Sequence, residues 1–250
     1  MKNSAGQRLK IRIGLAKEKE GSERVANDKK INEKVIHYFD ELYAKPEQQK
    51  QRGMETAQLK ILVWNFGKKY FESMNREFIV DDQNRQFLDV ICRYFSNDRS
   101  FEKVTDGELR KGLFIHGPCG TGKSSVLDII RNISRYYHLK QLWFSNVSVH
   151  TVVKEFNLDG EIMVDKYSRG TVHFDDLGTE KKAQSWGVKE NLFERLLLIR
   201  YNAFKEKGTK THVTSNLPIR SLEKIYGKQV YDRLFEMFNF IELDGKSRRY

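Results

Sequence analysis

The sequence GLFIHGPCGTGKSS, residues 112–125, predicts a strand, a phosphate-binding loop and a helix in immediate succession. Its first part supplies a short apolar run, typical of a buried parallel strand. Its second part fits the spacing G-x-x-x-x-G-K-[ST] of loops that hold phosphates. The motif residues are Gly117, Gly122, Lys123 and Ser124. Apolar residues at helical spacing follow the loop, as that type of site requires.

The residue types in this loop match the chemistry of a nucleoside triphosphate with Mg²⁺. Successive backbone N–H groups must wrap the phosphates, so glycine at positions 117, 120 and 122 is expected to keep Cβ atoms away. Lys123 is expected to reach the β and γ phosphates, and the Ser124 hydroxyl to bind the metal. The predicted nucleotide-binding residues are Gly117, Pro118, Cys119, Gly120, Thr121, Gly122, Lys123, Ser124 and Ser125.

Length and composition bound the possible classes of protein. A chain of 250 residues has room for one α/β domain and a smaller appendage. Its formal net charge of +11 favours a polyanionic partner such as nucleic acid. Cys92 and Cys119 lie far apart and form no C-x-x-C pair, which argues against a disulfide framework or zinc site. No apolar run of membrane-spanning length and no signal-peptide pattern occur, so we expect a cytoplasmic protein without a membrane partner.

Two regions are predicted before the phosphate-binding domain. Residues 1–30 are basic and bury little apolar surface, which predicts a flexible arm. Residues 31–80 contain two helical patterns, one ending before Pro46 and one over residues 56–74, with Gly67 as a possible bend. These predict a small helical N-terminal module. Its aromatic residues are compatible either with a small core packed onto the main domain or with an exposed partner-binding face.

Residues 81–250 are predicted to form the catalytic domain. Before the phosphate-binding loop, periodicity predicts a helix capped by Asp81 or Asp82 and a surface connection over 97–111. After the loop helix it predicts a strand over 141–147, a helix over 149–156 and a loop through Gly160 and Gly170. A further helix is predicted over 187–204. These elements place an additional strand and helix between the phosphate-binding loop and the next acidic strand.

The sequence TVHFDDLG, residues 171–178, resembles a Walker B element. A carboxylate at the end of a buried strand beside the phosphate loop can hold Mg²⁺, which assigns Asp175 to the metal. Asp176 is then expected to orient or deprotonate the attacking water. Aspartate is one methylene shorter than the glutamate of most motor ATPases, so we expect slow turnover. Glu180 is the next candidate for the water-orienting role.

Polar residues also end the next predicted strand, HVTSNLP, residues 212–218. Ligands bind outside the carboxyl ends of strands in open parallel sheets, which makes Asn216 a candidate to contact the γ-phosphate. Farther along the chain, YDRLF (residues 231–235) and GKSRRY (residues 245–250) each place arginine near the boundary of a predicted element.

The ordered motifs GPCGTGKS, HFDDLG, VTSNL, YDRLF and GKSRR resemble the DnaC-like and IstB-like group of AAA+ ATPases over residues 81–250. The resemblance implies an α/β P-loop NTPase of the ASCE type, with a parallel five-stranded sheet flanked by helices, and ATP as the nucleotide. It also implies that Asn216 is the sensor-1 residue and Arg233 an arginine finger supplied to a neighbouring subunit. Arg249, or alternatively Arg248, would be the sensor-2-like arginine.

This resemblance implies a slow ATPase of a homo-oligomer that acts on single-stranded DNA and loads a replicative helicase. The alternatives are a helper ATPase whose partner is a transposase, a nucleotide-dependent DNA-binding module with negligible hydrolysis, and a small-molecule kinase. For DNA, we expect largely electrostatic binding by the basic arm over residues 1–30 and by residues 180–189. The latter combine Lys181, Lys182 and Lys189 with Trp186, a composition that suits single strands. Alternatively, the tryptophan is buried and the lysines are merely solvated.

Overall fold

The computed structural model describes residues 54–185 and 188–249. The predicted arm over residues 1–30, the helical pattern before Pro46 and Trp186 lie outside these ranges. The helices are α1 (Thr56–Glu72), α2 (Arg85–Phe95), α3 (Ser100–Thr105), α4 (Lys123–Tyr136), α5 (Val149–Asp159), α6 (Glu161–Ser168), α7 (Leu192–Lys207) and α8 (Ser221–Met237). The strands are β1 (Gly112–His116), β2 (Ser145–Ser148), β3 (Val172–Asp175), β4 (Ala183–Ser185), β5 (Val188–Glu190), β6 (Thr211–Ser215) and β7 (Phe238–Glu242).

Five of these strands form a parallel sheet in the order β2-β3-β6-β1-β7. Strand β6 therefore separates β1, which leads into the phosphate loop, from β3, which carries the acidic pair. An additional strand at this position defines the ASCE class of P-loop folds. The predicted five-stranded parallel sheet flanked by helices is confirmed. Strands β4 and β5 pair with each other as a separate antiparallel hairpin.

The core consists of two apolar layers, one on each face of the sheet. Successive strand residues point to opposite faces, so Leu113 and Ile115 join the layer formed with α1 to α4, while Phe114 joins the layer formed with α5 to α8. All three side chains are fully buried. The helices thus hold β1 rigidly from both sides, which positions the loop that follows it. Among the described residues, no helix is long and apolar enough to cross a membrane.

Helix α1 packs onto the same layer as α2 and α4 through Leu59 and Val63. Its outer face leaves Ile61 and Trp64 with 62% and 43% of their surface exposed. Thus the inner residues belong to the core, and the exposed ones remain available for contacts. The predicted bend at Gly67 is wrong, because α1 continues through it. A Cβ at Gly67 would lie 2.6 Å from the Phe78 ring, so glycine permits close packing there.

Several predicted boundaries are corrected by the tertiary structure. The helix predicted from residue 187 begins at Leu192, because residues 188–190 instead pair with β4. The strand predicted over 141–147 begins at Ser145, after a short 3₁₀ turn. The residue at the N-cap of α2 is Asn84, and not Asp81 or Asp82.

Two helices form where the sequence predicted loops. Within the predicted connection over 97–111, α3 forms around Phe101, which is fully buried. A single buried residue gives no periodic pattern, so the sequence carries little helical signal there. Between Gly160 and Gly170, α6 forms because Gly160, with φ of 64°, ends α5 and begins the next helix.

Candidate functional site

The carboxyl ends of β1, β3 and β6 meet at one edge of the sheet, where α4 also begins. A cavity of about 190 Å³ lies there, and we call it the phosphate pocket. The predicted site residues that line it are Cys119, Gly120, Gly122, Lys123, Ser124, Ser125, Asp175, Asp176, Asn216 and Arg249. Phe71, Arg76 and Arg248 complete the lining. The topology thus brings together motifs from four separate parts of the chain.

Lys123 holds the phosphate loop to the end of β6. Its Nζ donates hydrogen bonds to the carbonyl oxygens of Gly117 and Pro118 and to Oδ1 of Asn216, at 2.8, 2.7 and 2.8 Å. The residue is only 4% exposed, and burial lowers the pKa of its ammonium group. A cation that has lost most of its water is stabilised by an anion, so this position favours a bound phosphate.

Ser124 and Asp175 place two oxygen ligands side by side. The Ser124 hydroxyl donates to Asp175 Oδ1 at 2.5 Å, and the Thr214 hydroxyl donates to the same carboxylate oxygen. Mg²⁺ prefers hydroxyl and carboxylate oxygens, so this pair fits the metal that the sequence predicts. His173 is fully buried behind the pair, with Nε2 3.3 Å from the Thr214 hydroxyl.

Asn216 connects the cationic and anionic sides of the pocket. Its Oδ1 accepts from Lys123, while its Nδ2 donates to Asp176 Oδ1 at 2.9 Å. Asp176 has the left-handed φ of 62°, and its backbone N–H donates to the Thr214 hydroxyl at 3.2 Å. These contacts turn the Asp176 carboxylate toward the pocket. The side chain of Glu180 is engaged elsewhere, because it accepts from the Gly178 N–H and the Tyr226 hydroxyl.

The loop glycines serve two purposes. A Cβ at Gly117 would lie 2.2 Å from the Leu243 carbonyl oxygen, and one at Gly120 would lie 2.4 Å from Ser247 Oγ. These two glycines therefore admit the segment after β7, a role that the sequence did not predict. Gly122 differs, since its φ is 106° and an added Cβ would meet no protein atom within 4 Å. Gly122 lines the phosphate pocket, so a bound anion can approach its backbone there.

A second cavity of about 260 Å³, here called the adjoining cavity, begins beside the phosphate pocket. Thr121 lines it, whereas Gly117 and Pro118 line neither space and act through their carbonyl oxygens. Much of its wall is apolar, contributed by Phe71, Phe78, Ile79, Phe87, Leu88, Val126 and Leu243. An apolar cleft next to a phosphate site suits the planar base of a nucleotide.

The three predicted arginines occupy different positions. Arg249 and Arg248 both line the phosphate pocket, so neither of the two sensor-2 alternatives is excluded. Arg248 also pairs with Asp81 at 2.8 Å, which lowers the pKa of that carboxyl group. Arg233 does not line the pocket of its own chain. Its guanidinium lies 4.8 Å from the centre of the Tyr201 ring, on the α7 side of α8.

Sequence reasoning missed three residues of this site. Thr214 precedes Asn216 by two positions, and strand alternation could have placed both side chains on one face. Phe71 and Arg76 belong to the region predicted as a separate helical module, and no motif marks either of them. They reach the pocket because α1 packs against α4.

No family model matches this chain, and no curated protein matches it. Several solved structures are similar to it in fold. The crystal structure of the DnaC helicase loader has a TM-score of 0.49 and 16% identity, covering 70% of this chain and 99% of that chain. The crystal structure of DnaI has a TM-score of 0.46 and 21% identity, covering 66% of this chain and 87% of that chain. The structure of AMPPCP-bound DnaA from Aquifex aeolicus has a TM-score of 0.45 and 16% identity, covering 69% of this chain and 50% of that chain. The strand order gives this chain a P-loop fold of the ASCE class, and the DnaC-like AAA+ group that its motifs resemble is represented among these similar structures.

Proposed function

We propose that this chain binds and hydrolyses ATP with Mg²⁺, and that the nucleotide controls its binding to single-stranded DNA and to a replicative helicase. The observation that carries the ATPase proposal is the hydrogen-bonded path from Lys123 through Asn216 to Asp176, beside the Ser124–Asp175 pair. Such an arrangement can hold a triphosphate, a metal and a water molecule close together. The DNA and helicase partners rest on charge and on the motif resemblance.

In this proposal each polar side chain has a separate task. Lys123 binds the β and γ phosphates, while the N–H groups of the loop surround them. Ser124 and Asp175 hold Mg²⁺, which neutralises charge on the phosphate oxygens. Asp176 orients the attacking water, and Asn216 keeps that carboxylate in place through its amide N–H. The second candidate is a nucleotide-dependent DNA-binding module with negligible hydrolysis. It remains because the Asp176 side chain is short, which limits how far its carboxylate reaches toward the attacking water.

Asp176→Asn is expected to retain ATP binding and to slow hydrolysis by about 10²- to 10⁴-fold, the usual contribution of a positioned acid or base. The amide keeps the shape of the carboxylate and can still accept from Asn216, so the pocket should remain folded. Labelled-ATP binding and phosphate release measure the two effects separately. Glu180→Gln is the matched control and should turn over normally. Unchanged turnover in Asp176→Asn with a loss in Glu180→Gln would move the role to Glu180.

Phosphate release with and without single-stranded DNA separates the two candidate functions. Stimulation by DNA supports the ATPase switch. Tight ATP binding with no release in either condition supports the module that binds nucleotide and DNA without hydrolysis. ADP formation that requires a small-molecule acceptor, without release of inorganic phosphate, would instead indicate a kinase, because the phosphoryl group then ends on the acceptor.

We propose that DNA binding uses the lysines around the β4–β5 hairpin. Lys181, Lys182 and Lys189 are all exposed. With three phosphate contacts, log affinity for an oligonucleotide should fall with log salt at a slope of about −2 from this site alone. Replacing the three lysines by alanine should reduce the measured slope by about that amount. The matched control replaces Lys103, Lys205 and Lys207, which are also exposed. An equal reduction in both variants would contradict a local DNA site.

The protein partner is tested by capture with purified candidates. Wild-type chain with ATP should retain the replicative helicase of its host, and Lys123→Ala should retain less. Retention of a transposase in place of the helicase would favour the transposition helper. A parallel measurement of mass in solution tests the proposed homo-oligomer.

A further inference from the structure

Arg76 is a cation of the phosphate pocket that belongs to no nucleotide-binding motif. It lies in the connection between α1 and α2, and it lines the pocket together with Phe71 from the last turn of α1. Its backbone N–H donates to the Phe71 carbonyl oxygen at 2.9 Å, which closes the turn after the helix. Asn75 in this turn has φ of 55°, a conformation that asparagine tolerates better than most residues. The guanidinium is thus carried on a defined turn.

The charges that line the pocket are unequal. Four cationic side chains, Lys123, Arg76, Arg248 and Arg249, face two carboxylates, Asp175 and Asp176. The cations outnumber the carboxylates even when Arg248 is left out, which favours an anion in the pocket. Arg248 is already paired with Asp81 at 2.8 Å. Arg76 is exposed, and within residues 54–185 and 188–249 no carboxylate forms a salt bridge with it, so no paired carboxylate in that part of the chain competes with a phosphate for its guanidinium.

We propose that Arg76 binds the phosphate tail of the nucleotide within the same chain and thereby links nucleotide binding to the position of α1. This inference rests on the proposed nucleotide-binding function. The planar guanidinium can bind two phosphate oxygens at once, which the point charge of lysine cannot do.

A row of aromatic side chains connects this position to the outer surface of α1. The Phe71 ring stacks on Phe78 at 5.6 Å between centroids, and Phe78 lies 5.7 Å from the Trp64 ring. Phe78 also packs directly against Gly67, which leaves its ring little freedom. A shift of Arg76 toward phosphate therefore displaces Phe71 and reaches Trp64, which is 43% exposed and can report it.

The test compares Arg76→Ala, Arg76→Lys and Arg99→Ala in the full chain by equilibrium binding of labelled ATP with Mg²⁺. Arg99 is an exposed arginine that lines neither the phosphate pocket nor the adjoining cavity. Removing Arg76 is expected to weaken ATP binding about ten-fold or more, as for loss of a charge-assisted hydrogen bond. The lysine variant should recover part of this loss, and Arg99→Ala should bind as the wild type does.

The link to α1 is read by tryptophan fluorescence. The chain has three tryptophans, so Trp143→Phe with Trp186→Phe leaves Trp64 as the single reporter. The emission of Trp64 should change when ATP is added to this chain. In a chain that also carries Arg76→Ala, the emission should stay unchanged even at saturating ATP. An equal change in both chains would overturn the link to α1.

The outcomes separate this inference from the proposed function. If wild-type chain binds no ATP, the proposed function fails. If ATP binding requires Lys123 but is equal in Arg76→Ala and Arg99→Ala, only the role of Arg76 is overturned. If thermal melting shows that Arg76→Ala is unfolded, Arg76→Gln decides the question, because it keeps a polar side chain while removing the charge.

Discussion

Lys123→Ala is expected to lose tight ATP binding, with affinity falling about 10²-fold or more, as when one partner of a buried charge pair is removed. The reason is local. Lys123 is the most deeply buried cation of the phosphate pocket, and it is positioned by three oxygen acceptors from the loop and from Asn216. No other cation of the pocket belongs to the loop itself. Equilibrium binding of labelled ATP with Mg²⁺ measures the effect.

The matched control for this variant is Lys103→Ala, because Lys103 is exposed and lies on α3, outside the pocket. It removes the same charge and should bind ATP normally. A thermal melt of each variant shows whether the loss arises from unfolding, since Lys123 also holds the loop. Wild-type ATP affinity in a folded Lys123→Ala chain would contradict the assignment of this loop to phosphate binding.

Arg233→Ala is expected to retain ATP binding but to lose hydrolysis by about 10³- to 10⁵-fold, the range for an arginine supplied by a second molecule. Arg233 rests on Tyr201 and does not line the pocket of its own chain. If a neighbouring subunit receives it, the hydrolysis rate per wild-type chain should rise with protein concentration. Lys224→Ala is the matched control, because Lys224 is an exposed cation on the same helix.

Mixing variants tests the role of Arg233 between subunits. Arg233→Ala chains contribute an intact phosphate loop, and Lys123→Ala chains contribute an intact arginine. The mixture should therefore recover part of the activity that both variants lack alone. Confirmed co-assembly without recovery would refute supply of the arginine by a neighbour, as would a rate per chain that does not depend on concentration.

The sequence was sufficient for those parts of the site whose position follows from strand order. Lys123 and Ser124 follow β1, Asp175 and Asp176 end β3, and Asn216 follows β6. Because parallel strands present their carboxyl ends at one edge, three separate motifs had to meet there. The five-stranded parallel sheet itself was expected from the motif resemblance.

The remaining parts depend on contacts that no local pattern encodes. Arg76 reaches the pocket because α1 packs against α4, which is far from it in sequence. Residues 188–190 have no strong strand pattern, although they pair with the neighbouring strand β4 in a local antiparallel hairpin. Likewise, α3 is held by one buried residue, Phe101. Here packing overrides weak local preference.

The close approach of the segment after β7 to the phosphate loop has a consequence for biosynthesis. The Arg248 N–H donates to the Gly120 carbonyl oxygen, and the Leu243 N–H donates to that of His116. A nascent chain that has emerged from the ribosome only as far as α8 already contains the whole phosphate-binding loop, but it lacks the residues that make these contacts. Closing contacts so distant in sequence is a late, slow event. We therefore expect the loop to acquire these two contacts only after synthesis has passed residue 248, which is later than the last strand of the sheet.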